Sequence, residues 1–393
     1  MAEDGVLFEQ ARAQSSWTRP AMASILTGLY PRRHGTNGER DSLSEEVEYL
    51  PELLSRSGYD TAAVTTNGVV SGRFGFDRGF DHFVYLAERP GTDPRIHRGA
   101  DVLHDAAWEW LETRSSEQPF FLYLHATDPH APYRPPEPWH RRFAEGVDVA
   151  LGDHGRVEEL GWNPTLGTSR MAEDLSALYD GEIAFVDDQF GRLMSRFQEA
   201  DLYDDLLVIL ISDHGEEFGD HGRWQHGMTL NEEQLRVPLI VKLPHGRSRG
   251  TRIGHVVEQI DVAPTVLNLV GLGRRPEMQG FDLLQPADRA HDSVAFALLA
   301  RQPRYRHVES IVEGDRKLIH YEIYDRPRRR SELFDLVADP DERRDLSAQF
   351  PIEAGFLRMR LRWNQMLWRP AEVAPAEIDE ELRQSLRAVG YLD

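Results

Sequence analysis

Short apolar runs that stop abruptly at polar residues recur along this chain, separated by stretches with helical spacing. Residues 206–211 (LLVILI) form an unbroken apolar run of the kind a strand buried on both faces requires, and it ends at Ser212-Asp213-His214-Gly215. A second run over 237–243 closes that unit. Residues 120–125 (FFLYLH) repeat the arrangement and lead into His125-Ala126-Thr127-Asp128-Pro129-His130, while 61–65 lead into Thr66-Asn67-Gly68. Residues 6–8 with 11–14 predict a short strand behind the tail of a helix over 1–5.

Helical spacing fills the intervals. A small-residue helix with Pro20 just inside its start ends at Gly28, and another spans 47–57. The helix over 100–114 places Trp108 and Leu111 on a core face. The longest, 171–200, aligns Leu175, Leu178, Ile183, Val186, Phe190 and Leu193 on one side, with Asp187-Asp188 on its wet face. Residues 135–169, rich in Pro, Gly and charge, read as a surface excursion. Residues 256–271 read as a strand, a Pro-started helix and a Gly stop. Composition turns to Arg, Pro, Asp and Gln near 274–290, which divides the chain into domains 1–285 and 286–393. Beyond the boundary, 294–300, 308–313 and 317–324 predict an antiparallel sheet turning at Gly314-Asp315, with 331–346 a turn-rich strand end and helices over 352–368 and 377–389.

Composition narrows the function classes. A formal charge of −21 repels phosphate backbones and anionic lipid, which excludes nucleic acid and membrane as partners but not a small anion in a locally positive or metal-bearing pocket. With no cysteine, disulfides, thiolate metal sites and a cysteine nucleophile are excluded together. No apolar run is long enough to span a bilayer, and the first ten residues lack a signal-peptide pattern; taken as given, the chain is expected to be soluble and cytoplasmic.

Ligands gather at the carboxyl ends of strands in open α/β sheets, so Asp213-His214, followed by Glu216, Glu217, Asp220, His221 and His226, is a candidate metal or oxyanion site. Thr18, immediately ahead of a helix, is either its N-cap or a nucleophile held over the positive end of the helix dipole. Asn67-Gly68 read alone is a turn. The His125 to His130 segment is either a functional strand end or a Pro-stiffened loop with solvated imidazoles. Pro31-Arg32-Arg33-His34-Gly35 is a basic loop of structural character.

One ordered set of motifs carries a resemblance. Thr18-x-Pro20 with Ala23-Ser24-Ile25-Leu26-Thr27-Gly28, then Gly58-Tyr59, Asp128-Pro129-His130, Ser212-Asp213-His214-Gly215-Glu216, Arg236-Val237-Pro238, Asp261-x-x-Pro264 and Glu332-Leu333-Phe334-Asp335 resemble, over nearly the whole chain, the sulfatase family of the alkaline phosphatase superfamily. The resemblance implies an α/β fold: a three-layer α/β/α alkaline-phosphatase-like domain with a mostly parallel sheet, plus a smaller C-terminal domain with an antiparallel sheet and helix. It implies a hydrolase of a small-molecule or saccharide anionic ester, a sulfate ester or, as the alternative, a phosphodiester or phosphonate monoester.

Residue by residue, the family nucleophile falls on Thr18, which cannot be converted to the formylglycine that sulfatases make from Cys or Ser; related phosphodiesterases use an unmodified Thr. Asp213 and His214 fall on a metal-ligating pair, implying one divalent ion, calcium by family, or zinc, manganese or iron by the Asp-His chemistry. His130 falls on a residue that contacts the ester oxygens, His226 on a position often held by Lys, and Asn67 near a phosphoryl-oxygen donor. Met22 replaces the family Arg, and Arg19 offers an early substitute for substrate binding. Glu216, Glu217 and Asp220 are loop charges in this reading. The family also implies a strand ending in two Asp ahead of Thr18, and nothing before Thr18 matches it. The expectation is that a further strand and helix, about forty residues, precede Met1, or that the chain is a non-catalytic binding module.

Overall fold

The computed structural model describes residues 1–88, 99–114, 117–285, 294–299, 305–323, 329–367 and 369–388. In chain order the elements are β1 (Val6–Arg12), α1 (Thr18–Thr27), α2 (Pro31–His34), α3 (Leu50–Ser55), β2 (Asp60–Thr65), β3 (His82–Tyr85), α4 (Ala100–Thr113), β4 (Phe120–His125), α5 (Trp139–Phe143), α6 (His154–Trp162) and α7 (Ser169–Glu199). There follow β5 (Val208–Ile211), β6 (Glu217–Phe218), β7 (Trp224–Gln225), α8 (Glu232–Leu235), β8 (Leu239–Lys242), β9 (Thr251–Glu258), α9 (Val262–Leu269), β10 (Val294–Leu299), β11 (Tyr305–Glu313), β12 (Arg316–Ile323), β13 (Arg329–Asp335), α10 (Pro351–Leu367) and α11 (Glu380–Ala388). No described helix is long and apolar enough to cross a membrane. The domain boundary read at 285/286 adjoins residues 286–293, which lie outside the described residues, as do the expected element ends Ala300, Tyr324, Trp368 and Val389.

The chain divides into two compact units. The first comprises Met1–Leu50, Asp205–Glu216 and His226–Pro375, and contains two four-stranded sheets. One has the order β5-β8-β1-β9, with β1 parallel to β9 and β8 antiparallel to both β1 and β5. Gly5 leads into β1 because a Cβ there would strike the Val241 carbonyl. The other sheet, β10-β11-β12-β13, is wholly antiparallel. Its turn at Gly314 uses a left-handed φ of 58°, and α10 closes one face through Ile311, Leu318, Leu333, Ala354, Leu357 and Leu361.

A buried ion network joins these parts. Lys317 on β12 has no exposed side-chain surface and pairs with Glu232 at 2.9 Å and Glu342 at 2.8 Å, while Arg12 at the end of β1 reaches Glu232 at 2.7 Å.

The second unit comprises Pro51–Asp204, Glu217–Gln225 and Ala376–Asp393. Its sheet, β3-β2-β4, is entirely parallel. Val64, Leu86, Leu103, Ala106 and Ala107 form the core between β2 and α4. The buried face of α4 is therefore Leu103, Ala106 and Ala107; the expected Trp108 is only half-buried, set edge-on to Phe197 at 5.5 Å. The core stripe of α7 likewise runs through Leu175, Leu178, Glu182, Phe185, Gln189 and Leu193, and Ile183 is exposed. The stripe includes two polar residues, which an apolar count passes over.

The expected surface excursion supplies Ala144, Val157 and Leu160 to a core with Tyr133, Leu175, Leu178 and Trp224. The class is α/β, with a wholly parallel sheet in the second unit and a mixed one in the first, plus the C-terminal antiparallel sheet and helix. Two expectations of full burial fail. Among the described residues β5 pairs only with β8 and β4 only with β2, and every residue of both strands is half-buried. Apolar composition reports a tolerance for neighbours on both sides without supplying them.

Candidate active site

In the first unit the turn after β5 is held from several directions. Ser212 Oγ donates to the His214 carbonyl at 2.6 Å, and Gln259 Nε2 donates to the carbonyls of Ser212 and Asp213, both at 2.7 Å. Gly215 N donates to the Gln234 carbonyl at 2.8 Å, in a space where any Cβ would run into the Glu233 carbonyl oxygen. Gln259 is itself set by the segment after β1: its Oε1 accepts from Gln14 N, and the Gln14 side chain reaches Glu258 Oε1 at 3.0 Å. Asp213 and His214 thus sit on a buried polar lattice that also anchors the segment leading to α1.

Thr18 is the first residue of α1, and Trp17 occupies the N-cap with no side-chain cap bond, so the N-cap reading of Thr18 is corrected. Its hydroxyl instead lies 3.1 Å from His214 Nε2. His214 Nδ1 lies 2.9 Å from the Gly215 carbonyl, an acceptor only, so Nδ1 carries the proton and Nε2 accepts from Thr18. Burial pushes the His214 pKa down, against the opposing pull of Asp213, and the ring is a neutral acceptor.

Asp213 Oδ2 is 3.4 Å from the same Nε2. An imidazole lone pair, a carboxylate oxygen and a hydroxyl oxygen converging on one point repel each other unless a proton or a cation lies among them, and the donor chemistry fits a divalent ion. It fits as part of a shell, since among the described residues no third imidazole or carboxylate gathers with Asp213 and His214 at ligating spacing.

His226 packs its ring on that of His214, with centroids 4.3 Å apart and planes 31° from parallel. Its Nδ1 faces both oxygens of Glu216, at 3.1 and 3.2 Å. Glu216, read from the sequence as a loop charge, is therefore part of the cluster; ten residues separate the pair, and no local spacing marks it. Arg19 is also buried, but its Nη1 donates to the carbonyls of Gly38 and Glu39 at 3.0 and 2.7 Å and its guanidinium lies over Trp17, so it secures the 36–41 loop. The basic loop at 31–35 forms the short α2. There His34 is fully buried: Nδ1 accepts from Thr36 N and Nε2 faces Ser24 Oγ, both at 3.1 Å, and burial lowers its pKa to about 3.

The second unit holds the remaining sequence candidates at the carboxyl ends of β2 and β4. Asn67 is an N-cap, accepting from Val69 N at 3.0 Å, and its Nδ2 lies 3.5 Å from His125 Nε2. His125 Nδ1 meets the Tyr123 hydroxyl at 2.7 Å, and His130 Nδ1 donates to the Ala131 carbonyl at 2.7 Å. Behind His130, Asp128 accepts from Ala100 N at 2.8 Å, while Glu182 on α7 accepts from Arg134 N at 2.6 Å. Burial, with the Asp128 charge adding to it, pushes the Glu182 pKa up to about 8. The sequence offered no sign of Glu182, because a polar residue in an amphipathic helix is read as solvated. Glu217 and Asp220 do act within their loop, accepting backbone N–H groups of the β6–β7 hairpin.

Comparison with known proteins agrees with this architecture. The family model described as Sulfatase matches residues 1–272, and that described as N-sulphoglucosamine sulphohydrolase, C-terminal, matches 219–366. The chain is 24% identical to an N-acetylglucosamine-6-O-sulfatase of Bacteroides thetaiotaomicron, over 87% of this chain and 76% of that protein. It is 26% identical to the multifunctional alkaline phosphatase superfamily protein PehA of Trinickia caryophylli, over 69% and 67%. Among solved structures, a protein in complex with its substrate D-glucosamine-2-N,6-O-disulfate superposes with a TM-score of 0.75 at 20% identity, covering 93% of this chain and 91% of that one. The phosphonate monoester hydrolase of Agrobacterium radiobacter does so at 0.73 and 21%, covering 93% and 89%.

Proposed function

The chain belongs to the sulfatase family of hydrolases, and on that premise we propose that it cleaves a sulfate ester of a small molecule or saccharide by attack of the Thr18 hydroxyl. The observation that carries the reading is the Thr18 Oγ1 contact with His214 Nε2, in a tautomer whose lone pair faces the hydroxyl proton. A hydroxyl is a weak nucleophile at neutral pH, and an adjacent base or cation is what makes it attack.

Asp213 and His214 would hold a divalent cation as part of its shell, and such an ion would supply positive charge to the ester oxygens and the alkoxide. This chain's own residues do the rest of the work. Thr18 Oγ1 forms the bond to sulfur while the bond to the leaving oxygen breaks; where His214 Nε2 gives its lone pair to the cation the Thr18 proton is lost to solvent, and without the cation that lone pair faces it. His226, beside His214, is assigned to the leaving oxygen. The positive end of α1 lies under Thr18 and favours an anionic group there. His130 and Asn67, read from the sequence as contacts to ester oxygens, belong to the second unit, where His130 has its Nδ1 proton committed to the Ala131 carbonyl.

A second reading, phosphonate monoester or phosphodiester hydrolysis, is favoured by one residue. Thr18 cannot become the formylglycine of sulfatases, whereas an unmodified hydroxyl serves phosphorus chemistry. Turnover of nitrophenyl sulfate, bis-nitrophenyl phosphate and a nitrophenyl phosphonate by the purified protein, with calcium, manganese or zinc added, separates the readings. Preference for the sulfate supports the first and preference for a phosphorus ester the second; turnover of none would reject both in favour of a binding module.

A further inference from the structure

We propose that the outer face of α10 is an interface, and that it packs antiparallel on α10 of a second copy of this chain. Among the described residues, α10 carries more large exposed apolar side chains than any other element. Ile352, Phe356, Met359, Trp363 and Met366 are 88%, 48%, 54%, 65% and 86% exposed. The opposite face of the helix is already occupied, with Ala354, Leu357 and Leu361 buried against Ile311, Leu318 and Leu333 of the antiparallel sheet. A helix that packs on one sheet needs one apolar stripe, and α10 has two.

Spacing, area and charge together select the occupant. The exposed residues recur at intervals of four, three, four and three, the heptad pattern by which one helix seats its side chains between those of another. The helix is 17 residues long, about 25 Å, so the seam runs its whole length. Aromatic side chains bury about 150–250 Å² each, and at these exposures the five residues offer on the order of 600 Å², most of the ~800 Å² each partner of a standard interface covers. Charge sets the direction. Glu353 lies in the first turn and Arg358, Arg360 and Arg362 lie from the middle onward. Parallel packing would set Glu353 beside its own copy and the arginines beside theirs. Antiparallel packing about a two-fold axis between Leu357 and Arg358 puts Trp363 of the second copy on Ile352, Met359 of the second copy on Phe356, and Arg362 of the second copy level with Glu353. It also sets the positive end of each helix against the negative end of the other. Gly355 comes level with Arg360 of the second copy, and a Cβ at Gly355 would meet only Arg358 Nη2, at 4.0 Å, so there is room for the incoming side chain. An anionic lipid surface fits less well, because the chain's formal charge of −21 repels it and a seam this narrow matches a helix and not a plane.

Sedimentation equilibrium of the full chain at micromolar concentration should give twice the mass of one chain. Met359→Glu with Trp363→Glu sets four carboxylates in the shared seam and should raise the dissociation constant about 100-fold or more. Both side chains are exposed in the single copy, so circular dichroism of the variant should match that of the unsubstituted protein. A mass of one chain for the unsubstituted protein, or a dimer that the double substitution leaves intact, overturns the proposal. Cross-linking gives the second arm, which needs no disruptive substitution. The chain has no cysteine, so introduced thiols report their own contacts alone. Ile352→Cys protein mixed with Trp363→Cys protein should form a mixed disulfide on oxidation. Ile352→Cys by itself should not, because its two copies lie about 16 Å apart along the helix axis, beyond the reach of a disulfide. Efficient self-linking of Ile352→Cys would mean a parallel pair and overturn the orientation. Co-sedimentation of the unsubstituted protein with phosphatidylserine vesicles, lost in the Met359→Glu with Trp363→Glu variant, would assign the face to lipid and overturn the proposal.

Discussion

Thr18 and Glu182 carry opposite kinds of prediction, because one is assigned to chemistry and the other to the pH range over which the fold holds. Replacing Thr18 with Ala removes a hydroxyl whose carbon neighbours stay packed. Turnover is expected to fall by about 10³-fold or more, as for other lost nucleophiles, with the melting temperature nearly unchanged. A kcat near that of the unsubstituted protein would exclude Thr18 as nucleophile. Glu182 has a folded pKa of about 8, above its ordinary value of 4.5. A raised folded value means that the folded state holds the proton more tightly. Stability is therefore greatest below the unfolded value, declines as pH rises from about 4.5 and is fully lost from this group above about 8. Glu182→Gln keeps an acceptor for Arg134 N without the buried charge. Thermal melts from pH 5 to 9 should match the unsubstituted protein at the acid end and exceed it by several kcal/mol at the alkaline end; parallel curves would show that Glu182 is not the group responsible. The motif order singled out Thr18, Asp213, His214 and His226, and the structure sets Thr18 and Asp213 at His214 and stacks His226 on it. Glu182 was not singled out, because its partners Arg134 and Asp128 lie some fifty residues away, and Glu216 was placed in the candidate site without its contact to His226 being foreseen.

The turn between β5 and β6 and the start of α1 show how loops acquire rigidity from the elements they join. Gly215→Ala would force the Cβ against the Glu233 carbonyl, displacing the α8 segment that Gly215 N also bonds. The expected cost is about 3 kcal/mol or more, measured by denaturant unfolding, with activity lost at temperatures where the variant remains folded. A variant as stable as the parent would show that the turn is looser than this geometry requires. Strand and helix positions were largely visible from apolar runs and Gly or Pro punctuation, as with Gly28, whose left-handed φ of 68° ends α1. Partners were less visible. The apolar runs of β4 and β5 promised burial on both faces, yet each strand has a single described neighbour. Periodicity found Leu175, Leu178 and Leu193 on the core face of α7 but also put Ile183 there, which is exposed, and passed over the buried Glu182 and Gln189.

The ion network around Lys317 links distant parts of the chain. Substituting Lys317 with Met leaves Glu232 and Glu342 facing each other without the cation, and breaking a buried pair in this way costs about 3–5 kcal/mol. Equilibrium unfolding should register that loss, and Lys317→Met with Glu342→Gln should recover part of it; no loss would mean the pair is solvated. The network's members come from β1, α8, β12 and the loop after β13, and no stretch of sequence announces that four such separated charges meet.

β1 carries the same long-range dependence in its backbone. Val6 pairs with Val241 on one side and Thr251 on the other, so both neighbours of β1 are made roughly 240 residues after it. At about 5–20 residues per second, a ribosome leaves that strand without its sheet for roughly ten to fifty seconds. The Pro51–Asp204 part of the second unit emerges within that interval, while its Ala376–Asp393 segment follows only later. The segment that delivers Thr18 thus waits for both β8 and β9 before its sheet is complete. A stalled nascent chain ending before β8 should leave residues 6–13 open to proteases and to chaperones that bind extended apolar strands, with protection beginning only once β9 has cleared the exit tunnel.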